Sequence, residues 1–197
     1  MTSPRVTGVV LAAGASRRLG QPKQLLPFRD STLLGETLRM ARDCGFDQLI
    51  VTLGGAAEQI RKTVPLDGLH TVTVDDTGSG CSGSLRAALG HVAPESQGIV
   101  LLLGDQPGVS VSSVHRLVEV GSDRPVAVCR YTDGIGHPFW FSRAVFDDVV
   151  PLHGDKAVWK LIEGGRWEVA EVDVGTDVPQ DVDTWEDYEK LLAGVAR

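Results

Sequence analysis

Five consecutive β-prone apolar residues, Ile99-Val100-Leu101-Leu102-Leu103, run directly into Gly104-Asp105-Gln106-Pro107, and two similar runs, Thr7 to Leu11 and Gln48 to Leu53, precede them. A strand with one face in water alternates apolar and polar residues, whereas a strand covered on both faces need not. These runs therefore call for helices above and below the sheet. Helical periodicity over Thr32 to Cys44, Ala56 to Val64 and Ser84 to His91, with a further strand at Thr71 to Val74, supplies that alternation. The pattern predicts an α/β fold, a doubly wound, mostly parallel sheet with helices on both faces, with ligands bound beyond the carboxyl ends of the strands. Further on, a helix at Val111 to Val120 leads to a strand at Pro125 to Tyr131 and a hairpin-like excursion over Thr132 to Ser142. Short helices follow at Ala144 to Val150 and Lys156 to Glu163, then a strand at Trp167 to Val174 and a closing helix at Thr184 to Leu192.

With 197 residues, 42% of them hydrophobic, the chain reads as one domain over 1–197, and its net charge of −7 argues against binding nucleic acid. Met1 to Arg5 lacks an apolar signal region and no run approaches the ~18 apolar residues of a membrane span, so a cytoplasmic protein is expected. Cys44, Cys81 and Cys129 are widely spaced with no Cys-x-x-Cys pair, which suggests free thiols rather than a disulfide framework or zinc ribbon.

After the first apolar run comes a loop of small residues carrying three cations. Ala12, Ala13, Gly14 and Ala15 leave the backbone open to close approach, while Arg17, Arg18 and Lys23 can reach phosphate oxygens. Five residues separate Gly14 from Gly20, and Gln21 and Pro22 intervene before Lys23, so this is not a Walker A loop. An acidic chain that binds a polyanion needs such local cations, together with a divalent metal held by carboxylates. Asp105, just past a buried strand, is the first candidate ligand. Asp181 and Asp183 alternate before the last helix, so one of them should face the site, while Asp183 or Thr184 can equally cap the helix.

Gly78-Ser79-Gly80-Cys81-Ser82-Gly83 satisfies Gly-x-Gly-x-x-Gly but follows the third strand rather than the first, and no acid stands at a second strand's end about 20 residues on. A glycine-rich loop for another ligand fits better, with backbone groups of Gly80 to Ser84 able to read the edge of a base. Cys81 has no histidine nearby in sequence to activate it. Gly134 to Phe141 sets His137 before a proline and three aromatics, a pocket wall in which His137 either donates to a phosphate or packs.

At these motifs the chain resembles the MobA-like nucleotidyltransferases, most closely the molybdenum cofactor cytidylyltransferases. The likeness runs through Leu11 to Pro27 (Leu-Ala-Ala-Gly-x-Ser-x-Arg-x-Gly-x-x-Lys-x-Leu-Leu-Pro), Gly104 to Pro107, Gly83-Ser84-Leu85, Gly136-His137-Pro138 and Asp181 to Asp187. Leu19 replaces the usual methionine and Trp185 a proline. The resemblance implies Mg2+-dependent transfer of CMP from CTP to the terminal phosphate of molybdopterin, with release of pyrophosphate. It places Arg17 and Lys23 on the phosphates, Leu11, Ala12, Ala13, Gly14, Gly80, Ser82 and Ser84 around the nucleotide, and Mg2+ on Asp105 and Asp183 with Asp181 as substitute. His137 and Asp155 would then face the acceptor, and a molybdoenzyme or its maturation chaperone is a further partner. GTP or a sugar phosphate are alternatives within the class, and a non-catalytic nucleotide- or cofactor-carrying protein is an alternative outside it.

Overall fold

The computed structural model describes residues 4–75, 80–154 and 156–195. The chain runs β1 (Val6–Ala12), a short hairpin of β2 (Pro27–Phe28) and β3 (Ser31–Thr32), α1 (Leu33–Asp43), β4 (Gln48–Leu53), α2 (Ala57–Thr63) and β5 (His70–Thr73). It continues through α3 (Gly80–Leu89), β6 (Gly98–Leu103), α4 (Val111–Gly121), β7 (Val126–Tyr131) and β8 (Gly134–Ser142). Last come α5 (Phe146–Val149), α6 (Ala157–Glu163), β9 (Val169–Asp173) and α7 (Trp185–Val195). Seven strands form one sheet in the order β5-β4-β1-β6-β8-β7-β9. β8 is antiparallel to both its neighbours, and every other pairing in the sheet is parallel.

The uninterrupted apolar runs have the expected cause. Val9 packs on one face of the sheet with Leu85 of α3, while Val10 packs on the other with Leu34 and Leu38 of α1. Helices α1, α2 and α4 cover the second face, and α3, α5 and α6 the first. This is the doubly wound, mostly parallel arrangement that the sequence predicts.

Two expectations are corrected. The segment over Thr132 to Ser142 does turn back as a hairpin, with Gly134 opposite Tyr131, but it is no excursion, because from Gly134 it becomes an interior strand of the sheet. Phe139, Trp140 and Phe141 are completely buried, with Phe139 and Phe141 on one face of the sheet and Trp140 on the other. Three successive large aromatics can all be buried only by a strand covered on both sides. Glycine makes room for the indole, since a Cβ at Gly121 would lie 2.5 Å from Trp140 Cγ. The helix expected from Ser84 begins instead at Gly80, so Gly80 to Ser84 form its first turn rather than a loop; Gly78 and Ser79 lie outside the described residues.

A third apolar cluster, outside the two main layers, fixes the site. Leu19, Leu26, Phe28, Leu33 and the fully buried Val182 pack together, with Tyr188 and Leu191 of α7 against them. Tyr188 Oη donates to Pro27 O at 2.5 Å. The cluster clamps the segment before α7 onto the loop after β1, and Leu19, at the position where methionine is usual, serves this packing. Val182→Ala is expected to lower stability by about 2 kcal/mol in urea unfolding, through lost burial and a residual cavity. A loss below about 0.5 kcal/mol would show that the clamp does not carry this packing.

Candidate active site

A cavity of about 650 Å3 opens at the carboxyl ends of β1 and β6. Its opening follows from the strand pairing. β8 pairs with β6 only between Ser142 and Phe139, and beyond that ladder Ile135, Gly136 and His137 line the cavity together with Leu101 and Leu103. The β7–β8 register shifts between Val128 and Cys129, leaving His137 and Pro138 without partners on the ladder. Proline, with no N–H to donate, suits that position.

The loop after β1 forms the floor. Gln24 is 3% exposed, and its amide Nε2 donates to Ala12 O at 2.8 Å and Gly14 O at 2.9 Å. Lys23 N donates to Ser16 Oγ at 3.0 Å, so the loop is held from within at both ends. At β6, Gly104 N donates to Leu11 O at 2.9 Å, and a Cβ on Gly104 would lie 2.9 Å from Ala12 Cβ. Glycine thus lets the turn carrying Asp105 close against β1.

Opposite charges meet at the centre. Lys23 Nζ donates to Asp105 Oδ2 and, at 2.7 Å, to Asp183 Oδ1, while Arg18 Nη2 donates to Asp183 Oδ2 at 2.6 Å. Burial pulls the Lys23 pKa down, but Asp105 and Asp183 outweigh it and hold the ammonium above its ordinary range. Burial pushes Asp105 upward against the pull of Lys23, with the nearby Asp181 adding repulsion. Asp183 is also partly desolvated, yet Lys23 and Arg18 keep it below the usual carboxylate range. The cause of Asp183's orientation lies in the helix cap. Thr184 Oγ1 accepts from Asp187 N at 3.2 Å, and Asp187 Oδ2 accepts from Thr184 N at 2.8 Å. Thr184 and Asp187 close this capping box between them, which leaves Asp183 to face the cavity.

Of the residues singled out from sequence, Leu11, Ala12, Ala13, Gly14, Arg17, Lys23, Gly80, Ser84, Asp105, His137 and Asp183 all line the cavity. Asp181 lines it as well, so the extended segment does not send the two acids to opposite sides. Asp181 Oδ1 accepts from Gln106 Nε2 at 3.1 Å, which draws it away from Asp183. Ser82 does not line the cavity; its Oγ accepts from Gly154 N at 2.9 Å and ties α3 to the segment before α6. Asp155 lies outside the described residues. Arg18, expected with Arg17 and Lys23 to reach phosphate oxygens, meets Asp183 and occupies the arginine position of the loop pattern. Two further contributors carry no role that the sequence assigns. Gln24 and Gln106, both internal to the quoted motifs, are buried amides that brace the loop and the acidic segment. The aromatic wall is completed by Trp159 of α6, edge-on to Phe139 at 5.3 Å.

Among the described residues no group of three His, Cys, Asp or Glu side chains converges as a ready-made metal cage. Two carboxylates suit a hard cation that keeps water and substrate oxygens in its remaining positions, as Mg2+ does. That these two already grip an ammonium shows that they present oxygens to a common point. Asp105 and Asp183 therefore fit a divalent ion as its protein ligands.

His137 stacks on Phe139 with ring centroids 4.1 Å apart, and burial pushes its imidazole down to about 3. It is a neutral ring at physiological pH, not a phosphate-binding cation. In the unfolded chain its pKa returns to ~6.5, so below that pH the unfolded state binds more protons and the folded state loses stability. The contribution of His137 is fully present above ~6.5 and declines by up to about 1.4 kcal/mol per pH unit as the pH falls toward the folded value. Urea unfolding of the protein and a His137→Gln variant at about pH 7 and about pH 5 is expected to show a steeper acid loss in the parent. Parallel pH profiles would contradict a neutral, desolvated His137.

Profile comparison matches the MobA-like NTP transferase domain over residues 8–172. The chain is 54% identical to Rv0371C of Mycobacterium tuberculosis H37Rv, solved as a complex with manganese, with a TM-score of 0.89 over 98% of this chain and all of that one. Nicotine blue oxidoreductase of Paenarthrobacter nicotinovorans is 31% identical over 96% of this chain and 97% of its own length. Purine catabolism protein PucB of Bacillus subtilis (strain 168) is 32% identical over 97% of this chain and 98% of its own. With a Rossmann-like sheet, a cation-bearing loop after β1 and two carboxylates at the strand ends, the chain belongs to the MobA-like nucleotidyltransferase family.

Proposed function

We propose that the protein transfers CMP from CTP to the terminal phosphate of a molybdopterin-type acceptor and releases pyrophosphate. The observation that carries this reading is the convergence, in one cavity, of the small-residue loop, its cations and the Asp105–Asp183 pair. Arg17, Arg18 and Lys23 line the floor as phosphate-binding groups, and the N-terminus of α3 presents Gly80 and Ser84 to the same space, where a helix's positive end favours anions. Asp105 and Asp183 would hold Mg2+, which when bound offsets the negative charge of the phosphates. The manganese complex of the Rv0371C relative supports a divalent ion in this family.

In-line displacement at phosphorus asks for alignment and charge neutralisation more than for covalent help. A terminal phosphate is already ionised at neutral pH, so no residue has to act as its general base. The chain's own work is to fix the loop through Gln24, keep cations beside the phosphates and wall off water with Trp159 and His137. His137, as a neutral ring beside Ile135 and Gly136, serves as an acceptor-side wall. CTP is favoured over GTP by the cytidylyl-type Leu-Ala-Ala-Gly and Gly-Asp-Gln-Pro sequences. The name of the Paenarthrobacter relative defines an opposing redox reading. Against it, the glycine motif that would hold a dinucleotide follows the edge strand β5, and Gly80 onward belongs to a helix.

Two outcomes are expected. With Mg2+ and purified molybdenum cofactor, pyrophosphate should be released from CTP and not from GTP, ATP or UTP, and Asp105→Asn should reduce turnover by at least about 100-fold. Release from GTP alone would move the protein to guanylyl transfer, and no release from any nucleotide would favour a carrier. Gly14→Ala separates ligand approach from packing. A Cβ at Gly14 would meet only Lys23 Cε, at 3.9 Å, so the free protein tolerates the methyl group. Its stability should change by less than about 1 kcal/mol, while triphosphate affinity measured by calorimetry should fall about tenfold or more. Unchanged affinity would place the triphosphate elsewhere.

A further inference from the structure

Lys23 has been treated so far as a phosphate-binding cation, but its ammonium lies elsewhere. Its Nζ sits between Asp105 and Asp183, and the side chain is only 14% exposed. Together with Arg18 it engages Asp105 Oδ2 and both oxygens of Asp183, three of the four carboxylate oxygens in the pair. Two cations thus face two carboxylates, and with Arg17 and Asp181 on the same cavity three cations stand against three carboxylates. A divalent ion cannot take those oxygens while the ammonium keeps them. Nor is its arrival favourable alone, because with Lys23 and Arg18 still present it adds two positive charges beside two cations.

The remedy is built into the lysine. Its backbone is fixed by Ser16 Oγ and by a single tight turn over Lys23–Leu25, but its outer carbons lie alongside Gly14, the residue that opens the loop to a ligand. Rotation of the flexible stem moves the ammonium from the carboxylates to the loop without moving the backbone. We propose that Lys23 is an internal place-holder for the divalent ion, and that its transfer from the carboxylates to a bound triphosphate makes metal and triphosphate bind cooperatively. The triphosphate supplies the negative charge that the displaced lysine and the entering ion require. By linkage, the metal tightens triphosphate binding by the same factor. The inference rests on the reading that Asp105 and Asp183 are the metal's ligands.

Mn2+ binding to the nucleotide-free protein, followed by electron paramagnetic resonance of free Mn2+, tests both layers separately. Asp105→Asn should abolish binding; if it binds as the parent does, the metal assignment itself fails. Given that loss, Lys23→Met and Lys23→Gln should each bind Mn2+ at least about fivefold more tightly than the parent, because the competitor is gone. Equal or weaker binding by both overturns the place-holder role. A second measurement needs no variant. Acetylation of Lys23 by a lysine-reactive ester, read by mass spectrometry, should be slow in the metal-free parent and faster when saturating Mg2+ is added alone. It should slow again when tripolyphosphate joins the Mg2+. A Lys23 rate indifferent to Mg2+ overturns the proposal even if neither variant folds.

Discussion

A charge as buried as Asp105 persists only when another charge meets it, and the ammonium of Lys23 is that partner. Through it, chain segments separated by 82 and 160 residues are held at one point. The pairing demands accurate placement of three backbones, and each has its own device. Gln24 and Ser16 fix the loop, Gly104 lets the turn after β6 close on β1, and the Val182 cluster clamps the segment before α7. Removing one member of such a pair leaves an uncompensated buried charge, typically at a cost of about 3–5 kcal/mol. The site is thus a junction of the fold as well as its chemical centre.

The antiparallel strand β8 explains why there is room for a ligand at all. β6 keeps a β8 partner only as far as Leu101, which leaves Leu102 and Leu103 without one. β8 enters from the opposite end, pairs with β6 through Phe139 to Ser142 and then departs with its register shifted. The same three aromatics that bury the strand fix the point of departure. Structural packing at one end of β8 thereby makes the cavity at the other, and His137 stands where the two meet.

Much of this was legible in the sequence, because the strongest signals were also the physically simplest. Continuous runs rich in Val, Ile and Leu suit strands covered on both faces, and a cation-bearing loop of small residues directly after such a run falls at the sheet's ligand-binding end. β8 was misread because Gly134, Gly136 and Pro138 are turn-forming residues locally, and only tertiary burial of Phe139 to Phe141 overrides them. The start of α3 was misread because Gly80 and Gly83 weaken a helix in isolation. Gln24 and Gln106 gave no signal of their own, since a buried amide is useful only for the carbonyls and carboxylates that a distant part of the chain brings to it. Whether Asp183 or Thr184 caps the last helix turned on a capping box between Thr184 and Asp187, which the sequence left open.

The central claim is that one cavity holds a nucleoside triphosphate on the loop after β1 and a divalent ion between Asp105 and Asp183. Anomalous scattering from a crystal grown with Mn2+ and CTP tests it most directly. The account requires a manganese peak within coordination distance of both carboxylates, with the triphosphate over Ala12 to Gly14 and the Lys23 ammonium on its oxygens. A peak bound elsewhere, or a triphosphate that leaves Lys23 seated between Asp105 and Asp183, would contradict it.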